Sequence, residues 1–249
     1  MSGIENGWDY PTRSLKMSWN ESSYVPADVR DVRVTAFLSK VYGWMFLGLL
    51  ITAGTALAVA SSPVLIETLI LNRILFWILL LAPIGLVWYM AARVERMAPA
   101  TAAGLFVLYS ALVGVTTSVI FLVYTSASIV SAFVITSGMF GAMAVFGTFT
   151  KRSLAGWGQF LFMGLIGVII ASIVNIFLFN DALSFVISVV GVIVFTGLTA
   201  YDAQRLKEMA VALPDGRVGS YAVVGALSLY LDFINLFFFI LRLIGGRRD

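Results

Sequence analysis

The chain has 249 residues, 60% of them hydrophobic and only 12% charged, with a formal net charge of +3 and a mean hydropathy of +0.98. A soluble domain carries about 25% charged residues to cover its surface, so the composition excludes one and points to a membrane protein. Cysteine and histidine are both absent, which removes disulfides, thiol chemistry, Ser–His catalysis and metal or haem sites built on those side chains.

Residues 1–40 are polar, with five acids (Glu5, Asp9, Glu21, Asp28, Asp31) against five bases (Arg13, Lys16, Arg30, Arg33, Lys40). No apolar stretch follows a basic start, so the segment reads as a cytosolic tail and not as a cleaved signal peptide. Trp8, Tyr10, Trp19 and Tyr24 could rest on the membrane surface or a partner; a loosely ordered tail is the plainer reading.

Seven apolar stretches follow, at 41–61, 72–92, 101–123, 127–148, 157–178, 182–202 and 221–242. A helix needs about 20 apolar residues to cross the hydrocarbon core, so each is long enough. They define a transmembrane domain over 41–244 and leave a short basic tail at 245–249. With seven full crossings, one side of the membrane receives twelve Lys and Arg residues and the other four. The rule that cytoplasmic loops are rich in Lys and Arg places the N-terminus inside. The cations flank helices and do not cluster, so they read as topology signals; no nucleic-acid partner is expected. Arg242, Arg247 and Arg248 fall on the outer side, against the rule. The last segment therefore either spans despite them or re-enters, and its length favours spanning.

Small residues recur within the segments: Gly43, Gly48 and Gly54; Ser137, Gly138, Gly141 and Gly147; Gly164, Gly167 and Ala171. They are expected to let helices pack closely where lipid supplies no hydrophobic drive. Pro83 is expected to kink the second segment. Asn175, one turn after Ser172, is expected to hydrogen-bond between helices. No internal duplication is visible, which disfavours an inverted-repeat transporter.

Charge at membrane depth costs roughly 2.5–3.5 kcal/mol on insertion scales and marks functional sites. Asp232 is the one unambiguously deep acid. Helical spacing puts Gly225, Ser228, Asp232, Asn235, Phe239 and Arg242 on one stripe, which must face the bundle interior or a cavity. Asp202 ends the sixth run on a stripe with Ser184, Ser188, Gly191 and Phe195; on periodicity alone it is equally an interfacial acid paired with Arg205. The turn signal Pro214-Asp215-Gly216-Arg217 is centred between Asp202 and Asp232, which sets the two at similar depth if both helices run to the turn. Two carboxylates at one level repel when both are ionised and tend to share one proton, titrating as a pair. That would give pH sensitivity to a chain without histidine. With Asn235 the pair also resembles a partial site for Ca²⁺. Ca²⁺ takes about six to eight oxygens, so weak passage fits better than storage. No other cofactor is expected. Arg93 or Arg96 could latch an aspartate or simply anchor the inner side.

The stretch Ala226-Leu227-Ser228-Leu229-Tyr230-Leu231-Asp232-Phe233-Ile234-Asn235-Leu236-Phe237, followed by Leu241-Arg242, closely resembles the signature of the Bax inhibitor family of seven-helix membrane proteins. Tyr201-Asp202 and the charged loop after it resemble that family's preceding helix. The resemblance implies an all-α bundle with the seventh helix central among the other six. It also implies an aspartate pair, here Asp202 and Asp232, that senses pH and gates a slow Ca²⁺ leak. The family's latch arginine would correspond to Arg93, although Met90-Ala91-Ala92-Arg93 departs from the family's local pattern. Bacterial members resemble modulators of an ATP-dependent membrane protease, a second expectation for which the N-terminal tail is the candidate contact, in a bacterial inner membrane. A third reading is an aspartyl intramembrane protease, given one Asp in each of segments six and seven. Leu229-Tyr230-Leu231 stands where such enzymes carry Gly-x-Gly, and no Pro-Ala-Leu segment follows. Segment seven has no lysine for a retinal Schiff base.

Overall fold

The computed structural model describes residues 27–246. The aromatic residues of the tail and the arginines at 247 and 248 lie outside the described residues. Secondary structure among the described residues is helical, and seven helices are long and apolar enough to cross a membrane. They are α1 (Ala27–Ala60), α2 (Arg73–Arg93), α3 (Pro99–Thr117), α4 (Ser126–Phe149), α5 (Ala155–Leu178), α6 (Asp181–Ala212) and α7 (Val218–Ile244). Apolar runs become helices here because lipid offers no partner for backbone groups, so each must be satisfied within its own segment.

Two boundaries differ from the sequence expectation. The first helix begins at Ala27, so residues 27–40 of the polar stretch are helical. Phe37, Leu38 and Val41, spaced to one face, are buried there. The sixth helix runs ten residues past Asp202 to Ala212, because Ala203, Leu206 and Ala210 continue a buried face among the charged residues.

Side chains fix the helix starts. Asn72, Thr125 and Asn180 cap α2, α4 and α6 by accepting from backbone N–H groups of Leu75, Ser128 and Leu183, each cap worth about 1 kcal/mol. The α5–α6 reversal takes two residues. Phe179 adopts the left-handed conformation (φ 49°), and Asn175 accepts the N–H of Asn180 through Oδ1 at 3.2 Å. Asn175 thus builds a local turn and not the expected bond between helices, while Ser172 donates to Val168 of its own helix. Helix α2 continues through a buried Pro83.

Burial separates the helices into walls and core. In the most apolar stretch of α7, 72% of residues are buried, against 11% for α2 and α5. Helix α7 packs on α1, α2, α3, α4 and α6, whereas α5 packs mainly on α6. Tyr230 of α7 is wholly buried between edge-on Phe106 and Tyr109. Its hydroxyl lies 2.6 Å from Thr52 Oγ1, which donates in turn to the Ser110 carbonyl at 2.9 Å. The phenol is therefore the donor to Thr52, and one polar chain ties α7, α1 and α3. Small residues act at selected contacts only. A Cβ at Gly147 would strike the Ala200 backbone, and one at Gly48 the Phe106 ring. Gly43, Gly54, Gly138, Gly141 and Gly167 have nothing within 4 Å, so those positions face outward and do not serve packing.

The end of α7 meets the α3–α4 connection: Thr125 N–H donates to Gly246 O at 3.1 Å, and Gly246 N–H to Ser128 Oγ at 2.9 Å. At the other end, Gly219 abuts Pro99 at the start of α3. Helix α7 therefore traverses the whole bundle.

Candidate functional site

Asp202 lies ten residues before the end of α6, and Asp232 fourteen after the start of α7. At about 1.5 Å per residue their depths differ by about 6 Å, one helical turn. Both line one cavity of about 980 Å³, bounded by α2, α5, α6 and α7. Asp232 is only 4% exposed, and its Oδ2 is buried with no hydrogen-bond partner. Asp202 is half-buried. A carboxylate oxygen without a partner in low dielectric is costly, whereas the buried Tyr230 hydroxyl on the same helix is hydrogen-bonded.

The α7 stripe enters the cavity through Ser228, Asp232, Asn235 and Phe239, and α6 contributes Phe195, Tyr201, Asp202 and Arg205. Gly225, on the same stripe, packs instead on Leu206. Asn235 donates Nδ2 to the Leu231 carbonyl at 2.8 Å, leaving its amide oxygen for other partners. Arg205, one turn after Asp202 on α6, lines the same cavity but forms no ion pair with Asp202 among the described residues. Arg93 stands apart: it is exposed at the end of α2, its guanidinium 5.9 Å from the Tyr89 ring centroid, and it does not line the cavity. Arg205 is the cation among the described residues that line this cavity with the aspartates. Sequence spacing offered Arg205 only as a surface partner.

The fifth helix supplies the wall facing the acids, through Gly158, Leu165, Val168 and Ser172. Gln159 and Ser172, polar residues in a mostly apolar helix, both line the cavity, and they are the signal in its sequence for that role. A smaller cavity of about 270 Å³ shares Ser172, Asn235 and Phe239 with the first and continues to Tyr124 and Arg242. Arg242 covers the Phe239 ring at 5.9 Å. Below the carboxylates, α6 clamps the α4–α5 connection. Gln204 accepts from Leu154 N–H at 2.7 Å and donates to the Arg152 carbonyl at 2.9 Å, and Lys207 donates to the Thr148 carbonyl at 2.7 Å. No group of three or more acids that could hold a metal ion occurs among the described residues.

Residues 34–249 match the family described as "Inhibitor of apoptosis-promoting Bax1". An inner membrane protein of Escherichia coli K12, YbhL, is 48% identical over 85% of this chain and 92% of its own length. A Borreliella burgdorferi protein is 46% identical over 86% of this chain and 93% of its own. A Streptococcus pyogenes membrane protein is 36% identical over 88% and 96%. A multi-pass helical membrane chain matched over nearly its whole length in this way belongs to the Bax inhibitor-1-like family.

Proposed function

We propose that this protein is a pH-sensitive cation leak of the inner membrane, passing Ca²⁺, with the Asp202–Asp232 pair as sensor and gate. The observation that carries the reading is that Asp232, whose buried Oδ2 has no hydrogen-bond partner, lines one cavity together with Asp202. Protonated, the pair presents no charge to a cation. Ionised, it supplies negative oxygens in a low-dielectric cleft, and mutual repulsion favours separating α6 from α7. The charged groups facing the pair are Arg205 on α6 and no other among the described lining residues. Asn235 and Ser228 add polar lining. The second cavity shares Ser172, Asn235 and Phe239 with the first and reaches Arg242 near the end of α7, which supports a route continuing toward the opposite face. Two carboxylates fall short of the six to eight oxygens Ca²⁺ prefers, so the ion is held weakly and transiently. Residence in an inner membrane follows the location in YbhL's name.

The test is Ca²⁺ flux into proteoliposomes as a function of pH. Flux should rise as the pair ionises with increasing pH. Asp202→Asn and Asp232→Asn should each change the pH profile. Equal, pH-independent flux in wild type and both variants would reject the proposal.

A further inference from the structure

We infer that the aspartate-lined cavity is a binding site for a hydrophobic organic cation, entered from the lipid through the gap between α2 and α5. Three observations carry this. The first is Asp232, a buried acid whose Oδ2 has no hydrogen-bond partner and which lines a space of about 980 Å³, at the upper end of the roughly 300–1,000 Å³ range of small-molecule sites. The second is the wall: apart from Asp202, Asp232 and Arg205 the lining carries no charge, and Trp88, Phe162, Phe195 and Tyr201 contribute aromatic rings to the same lining. Aromatic faces attract a cation whose own surface is apolar, and more strongly once it is desolvated. The third is access. Trp88, Phe162 and Ile173 line the cavity and are also 74%, 58% and 52% exposed on the outside of the bundle. They belong to α2 and α5, the two least buried spans. The cavity therefore opens through the side of the bundle, where a bilayer would meet it.

A small inorganic cation would leave most of this apolar volume unused, and a neutral lipid tail would leave the carboxylate unpaired. An apolar body carrying one delocalised or shielded positive charge satisfies both. Two acids against one arginine give the site net negative charge when ionised, which sets the sign of the ligand. The inference rests on the same acid-lined cavity as the leak, but not on ion passage.

The experiment uses the full chain in bilayer discs of zwitterionic phospholipid, with empty discs as blank. Equilibrium dialysis measures binding of tetraphenylphosphonium and of tetraphenylborate, which match closely in shape and differ in sign. Saturable tetraphenylphosphonium binding above the blank is expected, with no saturable tetraphenylborate binding. Asp232→Asn should weaken it at least tenfold. Leu165→Trp, which fills the cavity from α5 and leaves both acids in place, should do the same and decides the matter if Asp232→Asn loses its helical circular dichroism. Absence of saturable cation binding in the wild type, equal binding of the anion, or undiminished affinity in the folded variants overturns the inference. Parallel Ca²⁺ flux separates the two ideas. Cation binding without flux would end the leak and leave this site standing, and flux without cation binding would do the reverse.

Discussion

Asp232 occupies a helix position whose neighbours Leu229, Tyr230, Phe233 and Leu236 are all buried, and it brings to them an oxygen that nothing satisfies. A buried polar group without a partner costs roughly 1–3 kcal/mol by mutational measures. Asp232→Leu removes that cost, and the adjoining cavity gives the larger side chain room. The variant should therefore unfold at higher temperature in detergent, by the equivalent of about 1–2 kcal/mol, while losing pH-dependent Ca²⁺ flux. A fall in thermal stability would show that the carboxylate holds the bundle together and that its burial is structural. The residue's depth and stripe were legible in the sequence because charge inside an apolar run is rare. Its unpaired state was not, since that depends on what α5 and α6 bring opposite it. The Arg93 expectation failed to meet the site for a related reason: a helix-terminal cation can snorkel toward water, and this one turns onto Tyr89.

At the scale of elements, the long α6 does two tasks. Its membrane half carries Asp202, and its extension past that residue grips the α4–α5 connection through Gln204 and Lys207. Apolar content ends near Asp202, so hydropathy stopped the helix there. Continuation is legible only in the spacing of Ala203, Leu206 and Ala210. Gln204 makes two hydrogen bonds to backbone groups at 152 and 154. Gln204→Ala removes both bonds, each worth roughly 0.5–1.5 kcal/mol net, and frees the connection locally. Lys151 and Arg152 are exposed trypsin sites within it. Limited trypsin digestion of the solubilised protein should cut there several-fold faster in Gln204→Ala than in wild type. An unchanged cleavage rate would mean that the connection is held by its own geometry and not by α6. The α5–α6 reversal teaches the same lesson from the other face. Asn175 was visible as a polar residue in an apolar run, but its partner turned out to be local, because a two-residue turn has orphan N–H groups closer than any neighbouring helix.

For the whole molecule, the seven segments and their order could be read from apolar length alone, while the arrangement around α7 required knowing which faces meet. The structure sorts the connections into two sets. The α2–α3, α4–α5 and α6–α7 connections lie at one end of the bundle, tied by Gly219 against Pro99 and by Gln204 to residues 152 and 154. The α3–α4 connection and the end of α7 lie at the other, tied by Thr125, Ser128 and Gly246. If α7 spans, Lys151 and Gly246 are on opposite sides of the membrane; if it re-enters, they share one. The natural absence of cysteine makes this directly measurable, because any single introduced thiol is unique. Lys151→Cys and Arg217→Cys should react with a membrane-impermeant maleimide only in inverted vesicles, given the excess of Lys and Arg on their side. Ser126→Cys and Gly246→Cys should react only in right-side-out cells or vesicles. Gly246→Cys labelling together with Lys151→Cys would contradict the full crossing. It would also remove the proposed route from the aspartate cavity to the opposite face, on which any transmembrane passage of cations depends.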